Sequence, residues 1–271
     1  MNLKERIISG TLVFIGLGLH DEMGLSLRAI DEIKGVDSVY AEFYTSVMAG
    51  LSLEKLERLV KRKVNVLSRK GLEEEGLILR RAKEGRVALL VPGDPLIATT
   101  HIELRIRAEK QGIKTQIIHG ASIISAIIGL SGLQNYKFGR SVTIPFFDDS
   151  YKPETPYTVI FENMQRGLHT LCFLDVDIER DRYMTIGEAL KLLLSLEKRL
   201  KRGVINLGTL VVGVAKAGSR HPVVKAGYLK EVITYTFGSP PHSLVFPGKL
   251  HFMEVEALIN LAKAPENIRR D

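Results

Sequence analysis

The residues of this chain best suited to chemistry lie in a few short segments rich in Gly, Pro and isolated polar groups. Pro92-Gly93-Asp94-Pro95 sets a carboxylate between two residues of fixed φ, beside a glycine that can take φ > 0. Such a turn is a rigid backbone wall for a small ligand, with Asp94 exposed at a helix entrance to accept hydrogen bonds from it. An Asx turn or a helix cap would use the same residues. His119-Gly120-Ala121-Ser122-Ile123, Gly16-Leu17-Gly18-Leu19 and Pro240-Pro241-His242 have a similar character.

Other chemistries fail on spacing. A dinucleotide-binding turn would follow Gly16 and Gly18 with a third glycine at residue 21, which is Asp21, and its helix would begin at once rather than near Ser26. No phosphate-cradling, zinc-protease or nucleophile-elbow motif occurs, and the seven histidines lack metal spacing, so no metal is expected. The one cysteine, Cys172, sits in an apolar run and reads as an inert core thiol of a protein suited to a reducing cytosol.

Apolar runs without alternation predict strands covered on both faces at 11–16, 38–43, 64–67, 86–91 and 115–118. Helices are predicted at 26–34, 51–61, 72–83 and 100–111, three of them stopped by Gly35, Gly85 and Gly112. This alternation predicts a parallel sheet, and in such sheets ligands sit beyond the carboxyl ends of the strands, where the loaded segments fall. Past residue 120 the pattern changes. A helix is expected at 122–130, a long connection at 136–156 and a helix at 157–166 introduced by Thr155-Pro156. Strand 170–174, a helix to Arg202 opened by a Thr185–Glu188 capping box, strands 209–215, 222–226 and 243–246, and a final helix at 252–263 complete a mixed second sheet.

With 271 residues, 45% of them hydrophobic and 25% charged, the chain is a globular protein of about two domains. Its net charge of +7 favours acidic partners, but the densest basic stretches, 55–63 and 198–202, fall at predicted helix ends, where cations suit the dipole. Nucleic acid is therefore not the expected partner. Lys4 and Arg6 before the apolar run from Ile7 imitate a signal peptide, but His20-Asp21-Glu22 stands where a cleavage site would be. No run is long enough to span a membrane, and a cytoplasmic protein is expected.

Several segments carry a resemblance: Phe14-Ile-Gly-Leu-Gly-Leu19, Ala41-Glu-Phe-Tyr-Thr-Ser46, Pro92-Gly-Asp-Pro-Leu-Ile-Ala-Thr-Thr-His101, Gly167-Leu-His-Thr-Leu171, Phe173-Leu-Asp175, Pro240-Pro-His242 and Phe246-Pro-Gly-Lys-Leu-His251. Over roughly residues 11–265 the chain resembles the tetrapyrrole methylase family of S-adenosylmethionine-dependent methyltransferases, in its branch acting in diphthamide biosynthesis. Two features depart from that pattern: ten residues precede the first strand, and the loop at His119 lacks a proline. The resemblance implies two α/β domains, 1–119 and 120–271, with S-adenosylmethionine in a cleft between them, often in a homodimer. Carried over by position, Leu19, Asp94, Ile97, Ser122, Ile123, Leu174, Ala217 and His242 would bind the donor. The implied substrate is elongation factor 2, on a histidine bearing a 3-carboxy-3-aminopropyl group whose amine is methylated three times in the archaeal type, which this compact chain resembles. Eukaryotic relatives add a methyl on the carboxylate. Glu42, His101 or solvent are candidate acceptors of the amine proton, and the Tyr44 face a candidate holder of the growing cation; no catalytic residue is assigned. A corrinoid or ribosomal-RNA methyltransferase, or a basic RNA-binding module, are the competing readings.

Overall fold

A computed structural model describes residues 10–73, 76–148, 151–178 and 180–270; the Lys4 and Arg6 reading lies outside them. The chain forms two compact units, Met1–Ser122 and Ile123–Asp271.

The first unit runs β1 (Thr11–Gly16), α1 (Leu27–Lys34), β2 (Ser38–Glu42), α2 (Leu53–Val60), β3 (Val64–Leu67), α3 (Arg69–Glu73), α4 (Leu77–Glu84), β4 (Arg86–Val91), α5 (His101–Lys110) and β5 (Lys114–Ile118). The strands make one sheet in the order β3-β2-β4-β1-β5, every pair parallel. Successive residues of a strand face opposite sides, so Val13, Ile15, Val39, Ala41, Ala88 and Leu90 pack with α1 and α2. Leu12, Phe14, Tyr40, Leu89 and Val91 pack with α4 and α5 on the other face. Both faces are covered, which is why these strands read as apolar runs. Ser26 caps α1 by accepting from Ala29 N at 3.1 Å, and Gly35 ends it.

The helix expected at 72–83 is two helices. Gly76, at φ +61°, precedes α4 in the left-handed region, which breaks an α-helix and which glycine adopts without a Cβ clash.

The second unit runs α6 (Ile123–Ser131), β6 (Val142–Ile144), α7 (Thr155–Gln165), β7 (Thr170–Leu174), β8 (Val176–Asp177), β9 (Arg182–Tyr183), α8 (Ile186–Leu200), β10 (Leu210–Ala215), β11 (Val223–Tyr228), α9 (Leu229–Val232), β12 (His242–Phe246) and α10 (Phe252–Ala262). Its sheet, β11-β10-β12-β7-β6, is antiparallel except for the β6–β7 pair, and β8 and β9 form a hairpin. α7, α8 and α9 cover one face, and α6 and α10 the other. The Thr185–Glu188 capping box is present. Two expectations are corrected. The connection 136–156 contains β6, three residues long and adjacent to Pro145, and α7 begins at Thr155, with Pro156 in its first turn, where a missing N–H costs nothing. Cys172 is fully buried on β7, and burial pushes its thiol far above the ordinary value, as an inert core residue requires.

Candidate functional site

The topology of the first sheet marks its own ligand position. β1 and β4 are neighbours, yet β1 leads to α1 on one face and β4 to α5 on the other. Where consecutive crossovers part to opposite faces, a crevice opens beyond the carboxyl ends of the strands. Gly16-Leu17-Gly18 and Pro92-Gly93-Asp94 meet there. Gly93 N donates to Gly18 O at 2.7 Å and Gly18 N to Gly93 O at 3.2 Å. A Cβ on Gly16 would stand 2.5 Å from Gly120 N and 2.5 Å from Gly93 O, and one on Gly120 would stand 2.4 Å from Gly93 O. Three strand ends thus close on one another through bare backbone. Gly93, at φ +71°, has only Leu19 Cδ2 and the Ala121 carbonyl near its missing Cβ, each at 4.0 Å.

Asp94 is 6% exposed, so the exposed carboxylate expected from the sequence is corrected: it is buried, and His119 of the loop after β5 contacts it. Its Oδ1 accepts from Leu96 N at 3.2 Å, an Asx turn, and its Oδ2 lies 2.7 Å from His119 Nδ1. α5 starts seven residues later, at His101, so Asp94 is not a helix cap. A carboxylate offers about four acceptor positions, so two remain for a ligand. Ile97 is 43% exposed, and Ala98 beside it is held at φ +55°, a left-handed conformation costly for a residue with a Cβ. Leu19 and Ser122 are half-buried.

In the second unit, Leu174, Ala217 and His242 gather at one end of the three central strands. β12 runs antiparallel to β7 and β10, so its first residue lies beside their carboxyl ends: Ala215 pairs with His242, and Phe173 with Ser243. Lys216, at φ +52°, donates its N–H to Pro241 O across a cis Pro240–Pro241 bond. The His242 ring is committed: Nδ1 accepts from Ile186 N at 3.4 Å, and Nε2 lies 3.1 Å from Gly238 O. That pattern requires the neutral ring, and burial lowers its pKa accordingly. A cavity of about 330 Å³ opens beside it, lined by Thr185, Ile186, Glu188, Tyr235, Phe237 and His242. Ile123, the first residue of α6, follows directly on Ser122.

Two buried carboxylates carry more of the structure than their sequence context shows. Glu42, fully buried at the end of β2, receives His101, Thr45 and two backbone N–H groups. Glu254, fully buried on α10, receives His169 Nε2, Gln134 N and His251 N, each at 2.8 Å, and the Lys137 ammonium. Burial alone would raise its pKa, but these donors outweigh it and hold the carboxyl at about 2. His169 accepts from Gly248 N through Nδ1 at 2.9 Å, so it too is a neutral ring, with its pKa lowered chiefly by burial. The segments Gly167–Leu171 and Phe246–His251 that carry the family resemblance are therefore tied to one another through Glu254. Tyr44 has its ring face engaged: the Arg69 guanidinium stands 5.2 Å from its centroid. Among the described residues no helix is long and apolar enough to cross a membrane, and no group of three His, Cys, Asp or Glu could hold a metal.

Comparison with known proteins agrees with the fold. Residues 11–233 match the family model of tetrapyrrole (corrin/porphyrin) methylases. The chain is 50% identical over 262 residues to a diphthine synthase of Methanosarcina mazei, covering 95% of this chain and 98% of that one. It is 49% identical over 257 residues to a diphthine synthase of Methanothermobacter thermautotrophicus, covering 95% and 97%. A crystal structure of diphthine synthase superposes with a TM-score of 0.87 at 40% identity, over 96% of this chain and 99% of that one. With a parallel sheet whose glycine-lined strand ends meet at a switch point, a mixed second sheet and full-length relatives of this kind, the chain belongs to the tetrapyrrole methylase family of S-adenosylmethionine-dependent methyltransferases.

Proposed function

We propose that this enzyme methylates the amino nitrogen of the 3-carboxy-3-aminopropyl group carried by a histidine of elongation factor 2, three times in succession, in diphthamide biosynthesis. The observation that carries the reading is the 50% identity, over nearly the whole of both chains, to a relative named diphthine synthase. We assign the donor to Leu19, Asp94, Ile97, Ser122, Ile123, Leu174, Ala217 and His242. Seven of these stand at the carboxyl end of a strand or just beyond it, and His242 lies beside two such ends. Gly93, with nothing closer than 4.0 Å to its missing Cβ, leaves its main chain open to a ligand that must approach closely, and Gly16 and Gly120 let the neighbouring strand ends pack against it.

Bound there, S-adenosylmethionine supplies an electrophilic sulfonium methyl. The protein's part is to hold an uncharged amine in line with it, and such positioning alone can contribute about 7–11 kcal/mol to lowering a barrier. Asp94 keeps acceptor capacity for a hydroxyl or ammonium of the donor, while the committed His242 ring leaves its edge and backbone for contact. Glu42 and His101, each bonded to the other, are not assigned as bases. The same reading makes the protein a cytoplasmic homodimer; sedimentation of the purified chain checks the dimer.

The test is intact-mass spectrometry of elongation factor 2 bearing the precursor side chain, incubated with enzyme and donor. A gain of three methyl groups supports the reading, a gain of one or two corrects the count, and no gain refutes it.

A further inference from the structure

Resting on that reading of the reaction, we infer that Glu42 and His101 are positioning residues for the methyl acceptor, acting through residues 43–46 without touching donor or acceptor. Glu42 ends β2, beside β4 at the parting of the crossovers, and is 0% exposed; His101 is 2% exposed. Glu42 Oε2 accepts from Tyr44 N and Thr45 N, each at 3.1 Å, and Oε1 accepts from Thr45 Oγ1 at 2.5 Å and faces His101 Nε2 at 3.1 Å. All four acceptor positions of the carboxylate are thereby used. Three of the four contacts fix residues 44 and 45 as they leave the sheet. The fourth reaches 59 positions along the chain to the first residue of α5, where the segment opened by the Pro-Gly-Asp-Pro turn ends. One buried carboxylate therefore ties the segment after β2 to the segment after β4.

Holding the fold would not require this. An apolar pair could fill the same space, and a buried polar pair is weak support for stability because desolvation offsets most of the attraction. Its distinct property is fixed geometry. The segment it fixes carries the Tyr44 ring, which lies edge-on to His101 with centroids 6.4 Å apart and under the guanidinium of Arg69 from α3. Methyl transfer depends on where the acceptor stands relative to the donor, and a displacement of about 1 Å can cost about 100-fold in rate.

The experiment compares His101→Leu, which removes the tie, with His101→Gln, whose amide N–H can replace Nε2, and Thr45→Val, which removes only the 2.5 Å contact. The inference predicts a kcat lower by about 10- to 100-fold in His101→Leu. It predicts a smaller fall in Thr45→Val, recovery in His101→Gln, and affinity for S-adenosylhomocysteine within about twofold of wild type in all three. Hydrogen exchange of the residue 44 and 45 amides, measured on the S-adenosylhomocysteine complexes, should quicken in His101→Leu and Thr45→Val but not in His101→Gln. Unchanged kcat, or loss of S-adenosylhomocysteine affinity in step with kcat, would overturn the inference. If the wild type transfers no methyl to the modified elongation factor, the proposed function fails; the exchange rates then still decide the tie, since unaltered rates in folded His101→Leu or Thr45→Val would dismiss it.

Discussion

Replacing Asp94 with asparagine separates a structural carboxylate from a ligand-binding one. In the folded chain the Asp94 carboxylate makes two contacts: Oδ1 accepts from Leu96 N at 3.2 Å, and Oδ2 meets His119 Nδ1 at 2.7 Å. An asparagine keeps the first, because its carbonyl oxygen serves an Asx turn as well as a carboxylate does. The second becomes an amide facing an imidazole whose side chain is 74% exposed and can turn to its other tautomer, so little is lost. The amide N–H can donate to Nδ1, so one hydrogen bond replaces another, and a net difference of about 1 kcal/mol corresponds in a chain of this size to a melting shift of about 2–4 °C. The donor, by contrast, would lose a charge-assisted hydrogen bond worth about 1–3 kcal/mol, or about five- to 150-fold in affinity. The assay is calorimetric titration of S-adenosylmethionine and S-adenosylhomocysteine into both proteins, with melting curves on the same samples. Full affinity in Asp94→Asn would refute its assignment to the donor. A large melting shift with full affinity would leave the carboxylate a structural role alone, through its contact with His119.

Three further outcomes are expected. Ile97→Asp should leave the melting temperature nearly unchanged, because the side chain is 43% exposed, but weaken donor affinity by about tenfold or more once the ligand covers the new carboxylate; a folded variant with normal affinity would move the site elsewhere. Ala98→Val should lower the melting temperature, since a β-branched residue at φ +55° adds to the strain Ala98 already bears, in an exposed position that offers no compensating packing; equal melting temperatures would contradict this. Acid should destabilise the fold in two stages. His169 and His242 have pKa values lowered from 6.5 by burial, so below about that pH the unfolded chain takes up protons that the native rings refuse. Glu254, at about 2 against an ordinary 4.5, stabilises the fold fully above 4.5 and loses that contribution as pH falls towards 2. Chemical denaturation at a series of pH values checks both stages; Glu254→Gln should flatten the second and cost about 3–5 kcal/mol at neutral pH, because Lys137 is left without its buried partner.

Much of the fold was legible because its signals are local. The parallel strands announce themselves as unbroken apolar runs, and Ser26, Gly35 and the Thr185–Glu188 box mark helix ends within a few residues of where they act. β6 was not legible, since three residues beside a proline carry no periodicity, and its pairing with β7 is decided some 30 positions away. The break at Gly76 was missed because a lone glycine in a helical pattern is usually tolerated, and only its positive φ shows the stop. In the site, the strand-end loops could be named from residue types alone. The roles of Glu42 and Glu254 could not, because their partners lie 59, 85 and 117 positions away. The burial of Asp94 is hidden from the sequence for the same reason: His119, which contacts its carboxylate, is 25 positions distant.

The account turns on which nitrogen receives the methyl groups. Enzyme, isotopically methyl-labelled S-adenosylmethionine and elongation factor 2 carrying the 3-carboxy-3-aminopropyl histidine should be combined, with the unmodified factor in parallel, and the label located by fragmentation mass spectrometry. Label is expected on the side chain's amino nitrogen, accumulating to three methyl groups, and none on the unmodified factor. Label on the carboxylate alone, on the unmodified factor, or on neither protein would contradict it.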